Sequence, residues 1–308
     1  MTDLHVIFLG TAGSIPTPQR GLPAIAIRRK DELILFDCGE GVQRQMIRAG
    51  ISFHRKTKVF VTHMHGDHML GLPGLFQTMS LLDRERKLEI YGPSGIRAFV
   101  DAIKQTVQFM LTYPIEVSEI IDAGVVCEEK EYEVHATWAD HVTPGLAYAL
   151  IEKPRPGKFH PEKAESLGVP EGPLWSKLQS GSAVKLPDGR IVRPEEILGP
   201  PRPGRKIVYT GDTRPSKNLI RFAENADLLI HDSTFDDELW ERAREDGHST
   251  PSQAAETAKK AKAKWLVLTH ISARYKDVNL LLGRARKIFT RVDVAEDFMK
   301  IDLPLLDA

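Results

Sequence analysis

Short runs of apolar and β-branched residues recur through the first half of the chain, and glycine, histidine or a charged residue follows most of them. Runs of this length and composition are typical of buried strands, and apolar residues at helical spacing between them predict helices. The predicted strands span residues 4–9, 24–27, 33–36, 58–62, 87–91, 115–121, 125–128, 132–138 and 146–151. Helices are predicted over residues 42–49, 69–82 and 92–110.

The same alternation resumes after residue 205. Strands are predicted over residues 206–210, 227–230, 265–269 and 292–295. Helices are predicted over residues 236–245, from about Pro251 onward, and over 279–289. Strands that alternate with helices predict an α/β fold built from layers. A chain of 308 residues buries a large core and is compatible with one elaborated domain or with two.

Proline interrupts this pattern between Glu152 and Gly204. The segment holds ten of the twenty prolines, which exclude long helices and central strands. Counted on to Lys206, it carries eleven lysine or arginine residues against seven acids. Apolar residues on both sides of the Asp188-Gly189 turn predict a small hairpin; they are Leu178, Val184, Leu186, Ile191 and Val192. We interpret residues 152–204 as a projecting arm inserted between residues 1–151 and 205–308, although a solvated linker would have the same composition.

Charge and cysteine content narrow the classes of protein. The 42 basic and 42 acidic residues balance, which argues against a chain coated with positive charge but allows a local basic patch. Cys38 and Cys127 have no CxxC partner, so neither a disulfide framework nor a thiolate zinc site is expected. The start of the chain does not look like a signal peptide, and no apolar stretch approaches the roughly 18 residues of a membrane span. These features favour a cytoplasmic protein without a membrane partner.

Four side chains that commonly bind metals follow the predicted strand 58–62. They are His63, His65, Asp67 and His68, and Gly66 allows a tight loop between them. Imidazole nitrogen and carboxylate oxygen are the ligands that zinc prefers outside thiolate sites. A single histidine beside a strand usually has a structural role, but four such residues so close together suggest two neighbouring metal ions.

Histidine or aspartate follows a predicted strand at four further places: His141, Asp212, Asp232 and His270. Since ligands bind at the carboxyl ends of strands in α/β sheets, we expect these side chains to converge on one site. Two metals about 3.5–4 Å apart can clamp both oxygens of a displacement at phosphorus or at a carbonyl carbon. We assign His63, His65 and His141 to one metal and Asp67, His68 and His270 to the other, with Asp212 as the bridge.

This ligand pattern resembles the metallo-β-lactamase superfamily, whose fold is a four-layer αβ/βα sandwich. Motifs along nearly the whole chain resemble, more narrowly, the tRNA 3′-processing endonucleases of the tRNase Z (ribonuclease Z) family in its short form. The matching residues are 8–11, 36–41, 62–68, 71–74, 91–93, 211–214, 248–250 and 268–275, with 172–174 and 181–190 in the arm. The metal loop alone indicates only the superfamily, whereas the arm and Ser272-Ala273-Arg274-Tyr275 indicate the family.

The resemblance implies a zinc-dependent endoribonuclease with two Zn per subunit, although Mn or Fe is compatible with the same ligands. It would remove the 3′ trailer from precursor tRNA, leaving a tRNA 3′-OH and a 5′-phosphate on the trailer. Asp67 would hold the attacking water, His248 would protonate the leaving oxygen, Asp232 would orient His248, and Arg274 would contact the phosphate. The arm would dock the folded part of tRNA in a homodimer through Gly172, Pro173, Lys177, Lys185 and Arg190.

The chain departs from the family in two places and leaves two other functions open. Asp232 stands where the family usually has glutamate, so the side chain is one methylene shorter, and Gly21 stands where asparagine usually follows Arg20. The alternatives are a hydrolase of the same superfamily acting on a small phosphodiester or sulfate ester, and a non-catalytic RNA-binding member. A small substrate would not need an arm, and a non-catalytic protein would not need the complete ligand set.

Overall fold

The structure is a computed structural model that describes residues 4–305. The chain forms two compact units. The first comprises the chain up to Ile151 together with Lys206–Pro304, and the second comprises Glu152–Arg205 with Leu305. The second unit corresponds in sequence to the predicted arm, whose docking role stays a prediction.

Strands form two large sheets in the first unit and a small hairpin in the second. The described strands are β1 (Leu4–Gly10), β2 (Ala12–Gly13), β3 (Ala24–Arg29), β4 (Glu32–Phe36), β5 (Lys56–Phe60), β6 (Leu88–Gly92), β7 (Ile115–Glu119), β8 (Gly124–Glu128), β9 (Tyr132–Ala139), β10 (Gly145–Glu152), β11 (Val184–Lys185), β12 (Ile191–Val192), β13 (Lys206–Tyr209), β14 (Leu228–Asp232), β15 (Leu266–Thr269), β16 (Ile271–Ser272), β17 (Val292–Val294) and β18 (Lys300–Asp302).

Helices lie between the strands in both units. They are α1 (Val42–Arg48), α2 (Gly66–Met69), α3 (Leu72–Leu81), α4 (Ile96–Thr106), α5 (Pro161–Ser166), α6 (Pro173–Gln179), α7 (Pro194–Ile197), α8 (Lys217–Phe222), α9 (Trp240–Asp246), α10 (Pro251–Lys260) and α11 (Asn279–Arg286). A short 3₁₀ helix over Asp237–Leu239 precedes α9.

Two seven-stranded mixed sheets form the first unit, in the orders β18-β1-β3-β4-β5-β6-β7 and β17-β15-β14-β13-β10-β9-β8. One apolar cluster, which includes Phe8, Phe36, Tyr148 and Ile230, is made from residues of both sheets. On the other face of the first sheet, side chains pack with α1, α3 and α4. On the other face of the second sheet, side chains pack with α10 and α11. The result is helix, sheet, sheet and helix, which confirms the predicted four-layer sandwich.

Several predicted elements have different bounds in the structure. The helix predicted over residues 69–82 is divided into α2 and α3 at Leu70-Gly71, because the Gly71 amide donates to the Cys38 carbonyl at 2.9 Å. A Cβ on Gly71 would lie 2.1 Å from the Gly39 carbonyl oxygen, so this close approach requires glycine. The helix predicted over residues 92–110 is shorter, from Ile96 to Thr106.

The final strand, β18, is not predicted from the sequence, whose last expected strand ends near Ala295. Ile301 of β18 is opposite Val6 of β1 in an antiparallel pair. Only Ile301 of this three-residue strand is buried, while Lys300 and Asp302 are exposed. A single buried residue gives too short a pattern for a strand to be recognised from sequence.

The unit Glu152–Arg205 has its own small apolar core. Its two ends run antiparallel, with Arg155 opposite Arg202 and Phe159 opposite Leu198. The Arg205 guanidinium makes a buried bidentate salt bridge to Glu152, with contacts of 2.6 and 2.8 Å. At the Asp188-Gly189 turn, β11 and β12 form the hairpin that the sequence predicts. Helices α5, α6 and α7, which the sequence does not predict, add Ala164, Leu178 and Ile197 to this core.

Cys38 and Cys127 are both free and buried. Over residues 4–305, every helix is too short or too polar to cross a membrane.

Candidate metal centre

Strand ends of both sheets deliver the predicted ligands to one place. His63 and His65 follow β5, and His141 follows β9. Asp212 follows β13 and His270 follows β15. Asp67 and His68 belong to the helical turn α2 rather than to the loop that the sequence predicts. This turn presents both side chains from one short rigid element.

His63, His65 and His141 form the first group of ligand atoms. His63 Nε2 lies 2.9 Å from His65 Nδ1, and His141 Nε2 lies 3.4 Å from the same His65 atom. The Asp212 Oδ2 oxygen is 3.6 Å from His63 Nε2. Together with Asp212, these histidines have ligand atoms within 4.8 Å of one another.

Asp67, His68 and His270 form the second group. Asp67 Oδ2 lies 3.5 Å from Nε2 of both His68 and His270. Asp212 Oδ2 is 3.3 Å from His68 Nε2 and 3.4 Å from His270 Nε2. Asp212 therefore contacts histidines of both groups, which is the place a bridging carboxylate requires.

These side chains fit a metal centre on two grounds. Within the described residues, His68 Nε2, His270 Nε2 and Asp212 Oδ1 are buried without a hydrogen-bond partner, which is costly unless another group satisfies them. Two ligand atoms each about 2.1 Å from a shared zinc at tetrahedral angles lie roughly 3.4 Å apart. The separations of 3.3 to 3.6 Å around Asp212 Oδ2 match that spacing.

Asp37 orients His68 from the side away from the ligand cluster. Its Oδ2 lies 2.7 Å from His68 Nδ1 and accepts a hydrogen bond of 2.8 Å from the Tyr209 hydroxyl. Its Oδ1 accepts from the Thr62 amide and hydroxyl at 2.7 and 2.9 Å. A carboxylate on Nδ1 leaves Nε2 of His68 directed at the metal position, as in many zinc sites.

Two other histidines are held in the same way. Nδ1 of His141 lies 2.7 Å from the Gly247 carbonyl oxygen, and Nδ1 of His270 lies 2.7 Å from the Thr234 hydroxyl. The Ser14 amide donates to Asp67 Oδ2 at 3.0 Å. His270 has a positive φ of 62° and Asp37 one of 61°, so the backbone is strained at two residues of the centre.

Burial and neighbouring charge set the protonation of the cluster. Burial lowers the pKa of His63 to about 2 and also lowers the pKa of His141, which favours neutral imidazoles. Burial opposes protonation of His68 as well, but Asp212 and Asp37 raise its pKa well above the usual value. The excess of buried carboxylate at His68 makes this part of the cluster attractive to a cation.

Comparison with known proteins identifies the family. The model of a beta-lactamase superfamily domain matches residues 197–271, and that of the anti-Pycsar protein Apyc1 matches residues 4–146. Ribonuclease Z of Methanosarcina acetivorans is 51% identical over 302 residues, which cover 98% of each chain. Ribonuclease Z of Myxococcus xanthus is 47% identical over 310 residues, covering 100% of each.

The chain belongs to the ribonuclease Z family. A crystal structure of human tRNase Z, short form, is 30% identical, with a TM-score of 0.73 over 97% of this chain and 99% of that chain. The family resemblance drawn from the sequence motifs is therefore confirmed, and so is the metallo-β-lactamase fold. A fold of this class with such a His/Asp cluster supports a metal cofactor.

The shorter acid at position 232 still reaches its histidine. Asp232 Oδ2 lies 2.9 Å from His248 Nδ1, although the side chain is one methylene shorter than the glutamate that the family resemblance leads one to expect. Asp232 is the last residue of β14 rather than the residue after it, and it is fully buried. Burial opposes protonation of His248, but the Asp232 carboxylate raises the pKa of His248 to about 9. Thr234, which also lies 3.1 Å from His248 Nδ1, donates to Asp232 Oδ1 at 2.6 Å.

His248 adjoins both ligand groups, and with Asp212 and His270 it forms a further set of ligand atoms within 4.8 Å of one another. Its ring centroid is 5.1 Å from that of His141 and 5.2 Å from that of His270. Arg274 is exposed, and its guanidinium stands 4.9 Å from the centre of the Phe235 ring, which itself packs edge-on against His248. The structure thus brings His248 to the cluster, and the Phe235 ring lies between His248 and the Arg274 guanidinium.

The predicted docking residues lie in the unit Glu152–Arg205. Gly172 has a φ of 131° and precedes Pro173, the first residue of α6. Lys177 and Lys185 are exposed and, among residues 4–305, make no ion pair. Arg190 already pairs with Asp188 at 2.7 Å.

Asp37 and Thr234 hold histidines of the centre but are not among the site residues that the sequence predicts. Asp37 directly follows β4 and Asp212 follows β13 after two intervening residues, so the signal of a strand followed by an acid is present in both. Thr234 carries no signal, because threonine after a strand is common and only its contacts with His248 and His270 give it a role.

Proposed function

We propose that this protein is a zinc-dependent endoribonuclease that removes the 3′ trailer from precursor tRNA, leaving a tRNA 3′-OH and a trailer with a 5′-phosphate. The observation that carries the proposal is the complete His/Asp cluster with His248 beside it, in a chain that belongs to the ribonuclease Z family. The metal identity, the number of ions and a homodimeric state are part of the proposal, and a cytoplasmic location stays a prediction.

The seven side chains divide into two metal positions. His63, His65 and His141 would hold one zinc ion, and Asp67, His68 and His270 the other, with Asp212 shared. Bound zinc supplies Lewis-acid chemistry, since it makes water more acidic and draws negative charge from phosphate oxygens. Asp67 holds the attacking water through its carboxylate, which also accepts a hydrogen bond from the Ser14 amide and lies 3.5 Å from His68 and His270.

Hydrolysis forms a bond from the water oxygen to phosphorus and breaks the bond from phosphorus to O3′ of the last tRNA nucleotide. The leaving O3′ needs a proton, and His248 is the residue placed to donate one from Nε2. Asp232 and Thr234 hold His248 by Nδ1, so Nε2 points away from them. Arg274 pairs with the phosphate next to the reacting centre.

The test combines metal analysis with cleavage of a 3′-extended tRNA transcript. We expect about two zinc ions per chain and a single cut after the discriminator nucleotide, with the trailer end mapped as a 5′-phosphate. A cut elsewhere, or a 3′-phosphate on the tRNA, would contradict the proposal. Hydrolysis of small phosphodiesters or sulfate esters without any cleavage of the transcript would favour the small-molecule alternative.

A further inference from the structure

A cavity of about 380 Å³ opens beside His248. Trp240, Arg244, Arg214 and Asp140 line it together with His248. The same four residues, together with Glu241 and Glu245, line an adjoining cavity of about 640 Å³. A pocket of this size is typical of a site for a small-molecule or nucleotide group.

Two of the lining side chains, Trp240 and Arg244, are exposed to solvent and available to a ligand. Trp240 begins α9 and keeps 48% of its surface exposed. Arg244 lies one helical turn further along the same face, is exposed, and pairs with no acid in the part of the chain that the structure describes. An exposed indole next to an unpaired guanidinium offers a stacking surface for a base and a cation for a phosphate.

The other cation of the cavity is held in place by the fold. Arg214 donates from Nε to the Arg244 carbonyl oxygen at 2.6 Å and from Nη1 to Asp140 Oδ1 at 3.1 Å. It also donates to the Glu245 carbonyl oxygen at 3.3 Å. Arg214 therefore fixes the last turn of α9 against the end of β9 and compensates the charge of Asp140, which leaves Arg244 as the cation available to a ligand.

The products of the proposed reaction decide which nucleotide reaches this cavity. Because a 3′-OH remains on the tRNA, the leaving oxygen is O3′ of the nucleotide before the cut. That oxygen has to meet His248, and His248 lines the cavity with Trp240. A nucleotide that presents its O3′ to His248 would have this cavity, and Trp240 in it, beside its ribose and base.

We propose that this cavity is the subsite for the last nucleotide of the tRNA, with its base stacked on Trp240 and a neighbouring backbone phosphate paired with Arg244. The assignment rests on the proposed function, since it uses the identity of the leaving oxygen. It adds a sequence-tolerant binding contact on the tRNA side of the cut, because every base has a face that can stack.

A second tryptophan provides a matched control. Trp138 is 39% exposed and lines a different cavity of about 530 Å³, which includes His65 and Ile121 and does not include His248. Trp138→Ala removes the same type of side chain from a cavity that adjoins another part of the centre.

The experiment is a double-mutant cycle between protein and RNA. Single-turnover kcat/KM is measured for the unmodified protein, Trp240→Ala and Trp138→Ala on three 3′-extended transcripts: intact, abasic at the last tRNA nucleotide, and abasic at the first trailer nucleotide. We expect Trp240→Ala to lower kcat/KM on the intact transcript by roughly tenfold to one-hundredfold. On the transcript that is abasic at the last tRNA nucleotide, the same change should cost less than about twofold, because the stacking partner is already missing.

Trp138→Ala should instead reduce cleavage of the intact transcript and of the one abasic at the last tRNA nucleotide by the same factor. Equal losses for Trp240→Ala on all three transcripts would overturn the subsite, since a structural effect does not depend on the base. Light scattering provides a second check. If Trp240→Ala converts a dimer to a monomer, Trp240 belongs to a subunit interface and the subsite assignment is overturned. If the unmodified protein leaves the intact transcript uncut, the proposed function fails, and the subsite fails with it.

Discussion

Asp37 acts on the candidate metal centre without belonging to either ligand group. Its carboxylate accepts hydrogen bonds from Thr62 and Tyr209, and it lies 2.7 Å from His68 Nδ1. The Asp37 carboxylate and Asp212 together raise the pKa of His68, although burial opposes them. A buried charge on the far nitrogen makes the other nitrogen of the ring a stronger ligand.

Replacing Asp37 with asparagine tests this contribution. Asparagine tolerates the positive φ of 61° at this position and keeps a hydrogen-bonding side chain, so the change removes mainly the charge. We expect zinc affinity to fall by about tenfold to one-hundredfold, measured by competition with a chromophoric chelator. Unchanged affinity would mean that Asp37 supports only the folded strand ends.

His248 and His65 should separate proton donation from metal binding. We expect His248→Ala to slow transcript cleavage by about one-hundredfold or more while zinc content stays normal, because a general acid contributes about 10²–10⁴-fold. His65→Ala should lose zinc as well as activity, since His65 Nδ1 faces both His63 and His141. Full activity of His248→Ala, or loss of zinc from it, would contradict its role as proton donor.

Between the elements, a small ion network joins the two large sheets. Glu129, which follows β8, accepts from Lys56 at 2.7 Å and from Lys58 at 2.5 Å, and both lysines lie on β5. The Lys58 side chain is only 2% exposed and has Glu89 as its second partner at 3.3 Å. A buried lysine that loses its nearer carboxylate is left with an incompletely compensated charge.

Glu129→Gln should therefore lower the free energy of unfolding, and the loss should depend on pH. Partial burial raises the pKa of Glu129, but hydrogen bonds from Lys56 and Lys58 outweigh it and hold the pKa below the usual value. The stabilisation is present at neutral pH and is lost as the pH falls through that lowered pKa. We expect a loss of about 1–3 kcal/mol near neutral pH. Urea unfolding should show a smaller difference at about pH 3, and a difference that grows on acidification would be inconsistent with this ion network.

At the scale of the whole molecule, the unit Glu152–Arg205 can be removed at a defined place. Arg155 and Arg202 exchange backbone hydrogen bonds of 2.8 and 2.9 Å, so their chain ends are close enough for a short turn. The buried Glu152–Arg205 salt bridge stays outside such a deletion. The shortened chain therefore keeps the base of this unit intact.

Replacing residues 156–201 with an Asn-Gly turn should raise KM for precursor tRNA by at least about tenfold, because phosphate contacts of the arm are lost. Hydrolysis of bis(p-nitrophenyl) phosphate should change little, since this substrate is too small to need the arm. Comparable losses on both substrates would show that the arm supports the fold rather than docking tRNA.

The exposed lysines of the arm give a second, milder test. In the double variant Lys177→Gln and Lys185→Gln, tRNA affinity should fall and the slope of log affinity against log salt should decrease by roughly two. Lys104 and Lys130, exposed in the other unit, provide a matched control pair. A salt slope that changes equally in both double variants would assign the effect to net charge alone.

The sequence by itself determined the layered α/β fold, the family and the ligand types. Strand patterns depend on local alternation, and the ligands His63, His65, Asp67 and His68 are neighbours in the chain, so both are readable without a structure. The hairpin at Asp188-Gly189 is also predictable from sequence, because its paired strands are only a few residues apart in the chain.

Tertiary structure alone decided how the centre is assembled. The contact between Asp37 and His68 spans 31 positions, and that between Tyr209 and Asp37 spans 172, so neither leaves a periodic trace in the sequence. The left-handed backbone of Asp37 and His270 and the reach of Asp232 to His248 are likewise visible only in the folded chain. Residue types can therefore be read from the chain, whereas the distances that make them a site are set by packing between strands far apart in sequence.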